Sequence, residues 1–170
     1  MAKKRKIETG LIVGIIAIAI NVITVSIYIY QADIMKTQQH ASVWPYVEWV
    51  SDYNQIDGYH LHMENNGVGP ALIKEVSISY NDEEIEALDT LVARVLGTTD
   101  MPHLINELNS KKVLPAGERH NFLIIKNFKW SEQFYYILYQ NKLKMSICYE
   151  SIYGDQWVSI GTDVESGNCK

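Results

Sequence analysis

The sequence predicts a mainly β protein, with an N-terminal transmembrane helix followed by an immunoglobulin-like β-sandwich that contains a helical insertion. Residues 11–30 carry no charge and include 12 Leu, Ile or Val residues. From residue 43 onward, apolar residues recur at every second position in short runs, which is the pattern of half-buried strands. The length of 170 residues holds one span and one domain of about 130 residues, which excludes most multidomain enzymes.

The chain divides into five predicted parts. These are a basic flank at 1–10, the transmembrane helix at 11–30, a juxtamembrane helical linker at 31–42, the β-sandwich domain at 43–165 and a tail at 166–170. Up to Lys36 there are 5 Lys or Arg against 2 Asp or Glu, and beyond it 10 against 18. The two ends of the chain therefore suit different environments.

The apolar segment is long enough to cross a bilayer. Twenty residues at about 1.5 Å each make a helix of roughly 30 Å, the thickness of the hydrocarbon core. A cleaved signal peptide is the alternative, but its apolar region would be shorter and would end in small residues, whereas Tyr28, Ile29, Tyr30 and Gln31 follow here. We therefore predict a retained single span.

Basic residues favour one orientation of this span. Lys3, Lys4, Arg5 and Lys6 precede it, and Lys36 alone lies close behind it. The positive-inside rule then places the N-terminus in the cytoplasm and the C-terminal domain on the exported side. The inverted orientation stays open as the alternative.

Small and polar residues of the span recur at spacings of 4, 3, 4, 3 and 4, which places them on one helical face. They are Gly10, Gly14, Ala17, Asn21, Thr24 and Tyr28, and we call this set the small-polar stripe. In lipid, small residues permit close approach of helices and polar side chains bond between them. The pattern predicts self-association of the span, as a bundle or around a pore, with a lone anchor as the alternative.

The domain reads as six or seven strands. Twofold alternation predicts strands at 43–49, 59–64, 72–80, 119–125, 143–150 and 157–162. An acidic start at Glu83 and an apolar face predict an amphipathic helix that ends at Gly97. That face is Leu88, Leu91, Val92, Val95 and Leu96. Residues 101–109 fit a short helix or a loop, and 131–140 fit a short helix or a strand.

No pattern typical of an enzyme is present. The sequence lacks G-x-S-x-G, a P-loop, H-E-x-x-H, C-x-x-C and G-x-G-x-x-G. We expect no catalysis and no cofactor. His60, His62 and Glu64 share one face of a strand and are weighed as metal ligands, but no further ligand follows at suitable spacing. We therefore expect a hydrated sheet face and no metal.

Cys148 and Cys169 are the 2 cysteines of the chain. If the domain is exported, they have an oxidising environment in which to pair and to pin the tail to a strand. Sequence separation says nothing about geometry, so two free thiols are the favoured expectation and a disulfide is the alternative. We expect residues 166–170 to form a loose tail.

Basic residues are concentrated between positions 111 and 144, in an otherwise acidic domain. They are Lys111, Lys112, Arg119, Lys126, Lys129, Lys142 and Lys144. With Phe128, Trp130, Phe134 and Tyr135 nearby for stacking, this set is a candidate site for a short single-stranded oligonucleotide or an anionic lipid surface. Ordinary solvated lysines are the alternative.

Two segments carry a resemblance to known proteins. Residues 38–46, QQHASVWPY, and 65–74, NNGVGPALIK, resemble those of small bacterial single-pass membrane proteins with a C-terminal β-sandwich. Within that group the chain is similar to the membrane effector of Hailong-type anti-phage defence. The resemblance implies a channel in the bacterial cytoplasmic (inner) membrane and a partner nucleotidyltransferase, whose single-stranded DNA oligomer binds the effector and keeps it inactive.

The sequence as a whole predicts a homo-oligomer that forms a ligand-gated pore, with the β-sandwich as its sensing module. The alternative is a cell-envelope interaction protein, in which the span only anchors a binding domain. One conflict stays open: a cytosolic oligonucleotide requires a cytosolic domain, whereas the basic residues at positions 3–6 favour an exported one.

Overall fold

The structure, a computed structural model, describes residues 2–98, 100, 103–106, 112–140, 143–161 and 163–169, with side chains from residue 9 onward. The chain divides into two compact units between Ala41 and Ser42. The first unit consists of one uninterrupted helix, α1 (Ala2–Ser42), whose last residue is counted with the second unit. From Thr9 onward, α1 is long and apolar enough to cross a membrane, and its apolar window is not buried within the protein.

The second unit, called the β domain below, is mainly β and contains two antiparallel sheets. The first sheet has the order β1-β2-β7-β5, with β1 at Val47–Asn54, β2 at Gly58–Asn65, β5 at His103–Ile105 and β7 at Arg119–Ile125. The second has the order β10-β9-β8-β3-β4, with β6 also paired to β3. Its strands are β3 at Ala71–Tyr80, β4 at Glu83–Glu84, β6 at Lys112–Leu114, β8 at Leu143–Glu150, β9 at Gln156–Ile160 and β10 at Asp163–Ser166.

Two helices, α2 at Leu88–Leu96 and α3 at Phe128–Tyr139, complete the domain. The five apolar residues predicted for the face of α2 are all buried, and Gly97 ends the helix with a φ of 71°, the left-handed conformation that glycine adopts without strain. The helix begins later than the sequence suggested, because Glu83 and Glu84 pair with the end of β3 as β4.

One apolar core joins both sheets and both helices. Tyr59 and Leu61 of β2, Ile147 and Tyr149 of β8, and Phe134 of α3 are all fully buried in it. The ring of Phe134 meets that of Tyr59 edge to face, at 4.9 Å between centroids. The buried residues of α3 explain why the ambiguous segment 131–140 is a helix. Ser131, Phe134 and Leu138 are three and four residues apart, which brings them to one helical face, whereas a strand would place Ser131 and Phe134 on opposite faces.

Several boundaries differ from the sequence-based prediction. The first strand begins at Val47, because Trp44, Pro45 and Tyr46 lead into it without pairing as strand. The described part of 101–109 contains β5 where a helix or a loop was expected. Neither β6 nor β10 was predicted, since three or four residues are too few for alternation to be recognised.

The two segments that carry the family resemblance meet in space. The backbone N–H of Asn66 donates to the carbonyl of Tyr46 at 2.8 Å, and that of Val68 donates to the carbonyl of Trp44 at 3.0 Å. A Cβ atom at Gly69 would overlap the backbone of Val43, so glycine permits this close approach. Both segments therefore have a structural role: their contacts hold the residues that precede β1 against the turn that follows β2.

Asn65 organises this junction from inside the domain. Its side chain is fully buried, and its amide oxygen accepts from the N–H groups of Tyr46 at 3.1 Å and Gly67 at 3.0 Å. Its amide nitrogen donates to the carbonyls of Gly69 at 2.8 Å and Leu114 at 3.0 Å. An asparagine amide offers two donors and two acceptor sites, so this buried side chain is fully satisfied.

Cys148 in β8 and Cys169 beyond β10 form a disulfide, and no free cysteine is present in the described chain. The expectation of two free thiols is therefore wrong. The expectation of a loose tail is also wrong for residues 166–169, because Ser166 pairs with Trp157 and the N–H of Cys169 donates to the side chain of Gln156. The sequence separation of the two cysteines does not predict that they are close in space, because their proximity depends on the pairing of β8 with β9.

Candidate functional site

The small-polar stripe lies wholly within α1. Gly10, Gly14, Ala17, Asn21 and Tyr28 are exposed and Thr24 is half-buried. A Cβ atom at Gly10 or Gly14 would meet nothing within 4 Å, so each glycine leaves open space beside the helix. The stripe thus presents a shallow polar surface that another helix can approach closely.

The polar side chains of the span bond to their own helix. The Asn21 amide donates to the carbonyl of Ala17 at 2.8 Å, and the Thr24 hydroxyl donates to that of Ile20 at 2.8 Å. Ser26, on the opposite face, donates to Val22 at 2.9 Å. Such back-bonding lowers the cost of placing these groups in lipid. The Asn21 bond engages one of the two amide N–H groups and leaves the oxygen free to accept from a neighbouring helix.

The basic set does not form one patch in the described structure. Lys111 and Lys142 lie outside the described residues. Lys112 lies on β6, 2.8 Å from Nδ1 of His120, and Lys144 on β8 lies 2.5 Å from Asp82. Lys129 stands 5.9 Å above the Trp130 ring on α3. These three lysines therefore lie on the second sheet and on α3.

Arg119 and Lys126 are the two members of the set that line a common concave surface on the first sheet. Asp52, Asp57 and His60 line it as well, around a cavity of about 580 Å³. Arg119 is also paired with Glu64 at 2.9 Å. Acidic groups therefore lie beside the two basic residues and offset their positive charge.

His62 lies on the same face of the first sheet and is 1% exposed, so the expectation that it belongs to a hydrated face is wrong. Its Nδ1 is 3.9 Å from Asp52 and its Nε2 is 3.7 Å from Glu64, and both nitrogens lack a hydrogen-bond partner among the described residues. Burial lowers the pKa of His62, and the positive charge of Arg119 lowers it further. The described part of the chain contains no group of three or more His, Cys, Asp or Glu side chains placed to hold a metal ion.

A row of aromatic rings runs along one side of α3, and we call it the aromatic strip. Its members are Tyr53 of β1 and Phe128, Tyr135, Tyr136 and Tyr139 of α3. Tyr53 contacts Phe128 at 6.3 Å and Tyr135 at 5.7 Å between ring centroids. Tyr135 continues to Tyr136 and to Tyr139, each at 6.0 Å. Phe128, Tyr136 and Tyr139 are 48%, 60% and 74% exposed, so the strip is accessible.

A cavity of about 480 Å³ lies at one end of this strip, and we call it the Trp49 cavity. Its described lining is Trp49 and Ser51 of β1, Tyr135, Leu138 and Tyr139 of α3, and Leu143 of β8. The indole N–H of Trp49 is buried and lacks a hydrogen-bond partner among the described residues. The same holds for the hydroxyl of Tyr53, which stacks on Tyr135 but is not among the described residues that line the cavity. Buried polar groups are normally paired, so these two are notable.

Sequence reasoning named Phe128 and Tyr135 of the strip but missed Tyr53, Tyr136 and Tyr139. Nor did it name Trp49 of the cavity as a site residue. It also named Phe134, which belongs to the core and not to the strip. A helical reading of 128–139 places residues 128, 135, 136 and 139 on one side and would have found most of the strip. The contribution of β1 depends on tertiary packing and had no local signal.

These features define a class: a protein with one candidate membrane span, joined to a mainly β domain of two antiparallel sheets. A family model described as a domain of unknown function (DUF8453) matches residues 9–165, which is most of the chain. The chain belongs to this family. No curated protein and no solved structure matches it.

Proposed function

We propose that this protein self-associates through the small-polar stripe of α1 and forms a ligand-gated pore in the bacterial cytoplasmic membrane, with the β domain as the controlling module. The observation that carries the proposal is the stripe itself. It gathers the glycines, Asn21 and Thr24 onto one face of an unbroken 41-residue helix. A face of this composition is better accommodated against protein or water than against acyl chains.

The chemistry of the stripe supports contacts between helices. Gly10 and Gly14 permit the backbones of two helices to approach closely. The amide oxygen and the remaining N–H of Asn21 supply hydrogen bonds between copies. In a larger ring, Asn21 and Thr24 line an aqueous lumen instead. For the β domain we keep the prediction of an immunoglobulin-like sandwich, which two antiparallel sheets sharing one core support.

A role in anti-phage defence, with a DNA oligomer from a partner nucleotidyltransferase as ligand, follows from the resemblance and requires the β domain to face the cytoplasm. Two observations favour the other orientation. The basic flank at positions 3–6 obeys the positive-inside rule for an exported domain. The Cys148–Cys169 disulfide suits an oxidising compartment. Membrane topology therefore decides whether the oligonucleotide is available as a ligand.

The second candidate function is a cell-envelope interaction protein, whose β domain binds a partner while α1 serves as an anchor. The disulfide favours it, because it suits a domain outside the cytoplasm. The bonds of Asn21 and Thr24 within their own helix are also compatible with a span that lies alone in lipid.

Planar-bilayer conductance of the purified full chain tests the pore. We expect discrete currents that Asn21→Leu abolishes, with Ser26→Leu as the matched control, since Ser26 lies on the opposite face and makes the same kind of bond. A silent wild-type protein, or equal currents in both variants, overturns the pore proposal. Protease accessibility of the β domain in sealed vesicles, run in parallel, gives the orientation independently of conductance.

A further inference from the structure

We propose that the aromatic strip and the Trp49 cavity form a binding site for a short neutral oligosaccharide. The proposal concerns the ligand of the β domain and holds whether or not α1 self-associates. It rests on three features of the described residues: accessible aromatic rings in a row, a cavity at the end of that row, and an unpaired indole N–H on Trp49, which lines the cavity.

The aromatic rings provide the main surface for a sugar. The C–H faces of pyranose rings are apolar and pack on the faces of tyrosine and tryptophan, while their hydroxyls stay at the polar edge. The strip follows α3 for 12 residues, which at about 1.5 Å per residue is roughly 18 Å. This length accommodates several linked sugar rings in an extended chain, whereas a single monosaccharide would leave most of it uncovered.

The cavity fixes one end of the ligand. Its volume of about 480 Å³ is within the usual range of small-molecule sites. Trp49 lines it and carries a buried indole N–H without a hydrogen-bond partner among the described residues. A turn of the indole that brings this N–H to a ligand oxygen would satisfy a group that the free protein leaves buried and unpaired.

Charge selects a neutral ligand over a polyanion. None of the described residues that line the cavity is acidic or basic. Lys129 and Glu132 both lie on α3 between Phe128 and Tyr135 and offset each other, and residues 37–170 carry 10 Lys or Arg against 18 Asp or Glu. A nucleic acid or an anionic membrane would therefore gain no net attraction from the described charges here. An oligosaccharide without charged groups needs no such attraction, and the disulfide agrees with a domain that is exposed to envelope glycans.

Titration calorimetry of the full chain in nanodiscs tests the proposal, because many detergents carry sugar head groups that would compete. The neutral probes are hexasaccharides of N-acetylglucosamine, of β-linked glucose and of α-linked glucose. Oligo-dT and anionic vesicles are the charged probes. We expect at least one neutral oligosaccharide to bind, and we expect no charged probe to compete with it for the strip.

Two pairs of variants localise the site. Tyr139→Ala removes an exposed ring of the strip and should weaken binding about tenfold, whereas Tyr153→Ala, an exposed tyrosine in the turn before β9, should leave it unchanged. Trp49→Phe keeps an aromatic ring, removes the N–H and should weaken binding severalfold. Trp157→Phe is its control, because Trp157 stacks on Tyr149 and is not among the described residues that line the cavity. Near-UV circular dichroism verifies that each variant is folded.

The proposal is overturned if no neutral oligosaccharide binds, if a charged probe binds through the strip in their place, or if Tyr139→Ala and Tyr153→Ala bind equally well. These results are independent of the conductance measurement. A protein that conducts no current but binds an oligosaccharide would overturn the pore proposal and support the binding site.

Discussion

The side-chain amide of Asn65 donates to the backbone carbonyl of Leu114 across 3.0 Å, and this bond ties β2 of the first sheet to β6 of the second. With its bonds to Tyr46, Gly67 and Gly69, the same side chain holds together the two segments that carry the family resemblance. The family resemblance of these two segments is therefore explained by a structural role.

Replacement of Asn65 by alanine should strongly destabilise the β domain. The change removes four hydrogen bonds, two of them buried and two half-buried, and leaves their backbone partners without these bonds, at a cost of about 3 kcal/mol or more. Thermal unfolding followed by circular dichroism should show a midpoint lower by about 10 °C. The control is Asn66→Ala, since the exposed Asn66 side chain bonds to Glu48 at 2.6 Å and its loss should cost little. Similar midpoints for the two variants would contradict the role of Asn65.

The disulfide should be present in the protein as isolated from membranes. Without reductant, a polyethylene-glycol maleimide should add to neither cysteine, and after reduction and unfolding it should add to both. Reduction should cost about 3 kcal/mol of stability, because the bond closes a loop across a sequence separation of 21. Two labels without reductant would instead place the domain in a reducing compartment and support the cytosolic orientation.

Acidification below pH 6.5 should destabilise the β domain. The pKa of His62 in the folded state lies below that of the unfolded chain. Burial disfavours the imidazolium, and the positive charges of Arg119 and His60 disfavour it too; together these effects outweigh the stabilisation of the imidazolium by Asp52 and Glu64. The unfolded state therefore binds a proton first, so stability is complete above pH 6.5 and falls as pH drops toward the folded pKa, by at most about 1.4 kcal/mol per pH unit for each such group.

Urea unfolding at pH 7.5, 6.5 and 5.5 measures this dependence. His120, whose pKa burial also lowers, acts in the same direction, so His62→Gln should make the dependence shallower without removing it. An unchanged pH dependence in His62→Gln would mean that His62 is not buried in its neutral form.

Self-association through the stripe predicts a cross-linking pattern. Ala17→Cys lies on the stripe and should form a disulfide-linked dimer in membranes under mild oxidation. Ala19→Cys makes the same chemical change on the opposite face and should form little dimer. The native cysteines are paired with each other and should not interfere. Equal yields at both positions would indicate that the helix has no preferred interface.

Sequence alone determined the elements whose signals are local. The long apolar helix was predicted from its length and apolar content. Strands β2, β7 and β8 were predicted from twofold alternation, and α2 was predicted from its apolar face and terminal glycine. Backbone geometry sets these periodicities, so they are visible in any window of the chain that is long enough.

Tertiary structure decided the features that depend on which strands lie side by side. The pairing of Cys148 with Cys169, the burial of His62 and the meeting of Trp49 with Tyr139 all join residues distant in sequence. Alternation assigns a residue to a face, but it does not say how deeply neighbouring strands bury that residue or what lies opposite it. For this protein, the long apolar helix and the mainly β class were therefore accessible from the sequence, and the shape of the candidate binding site was not.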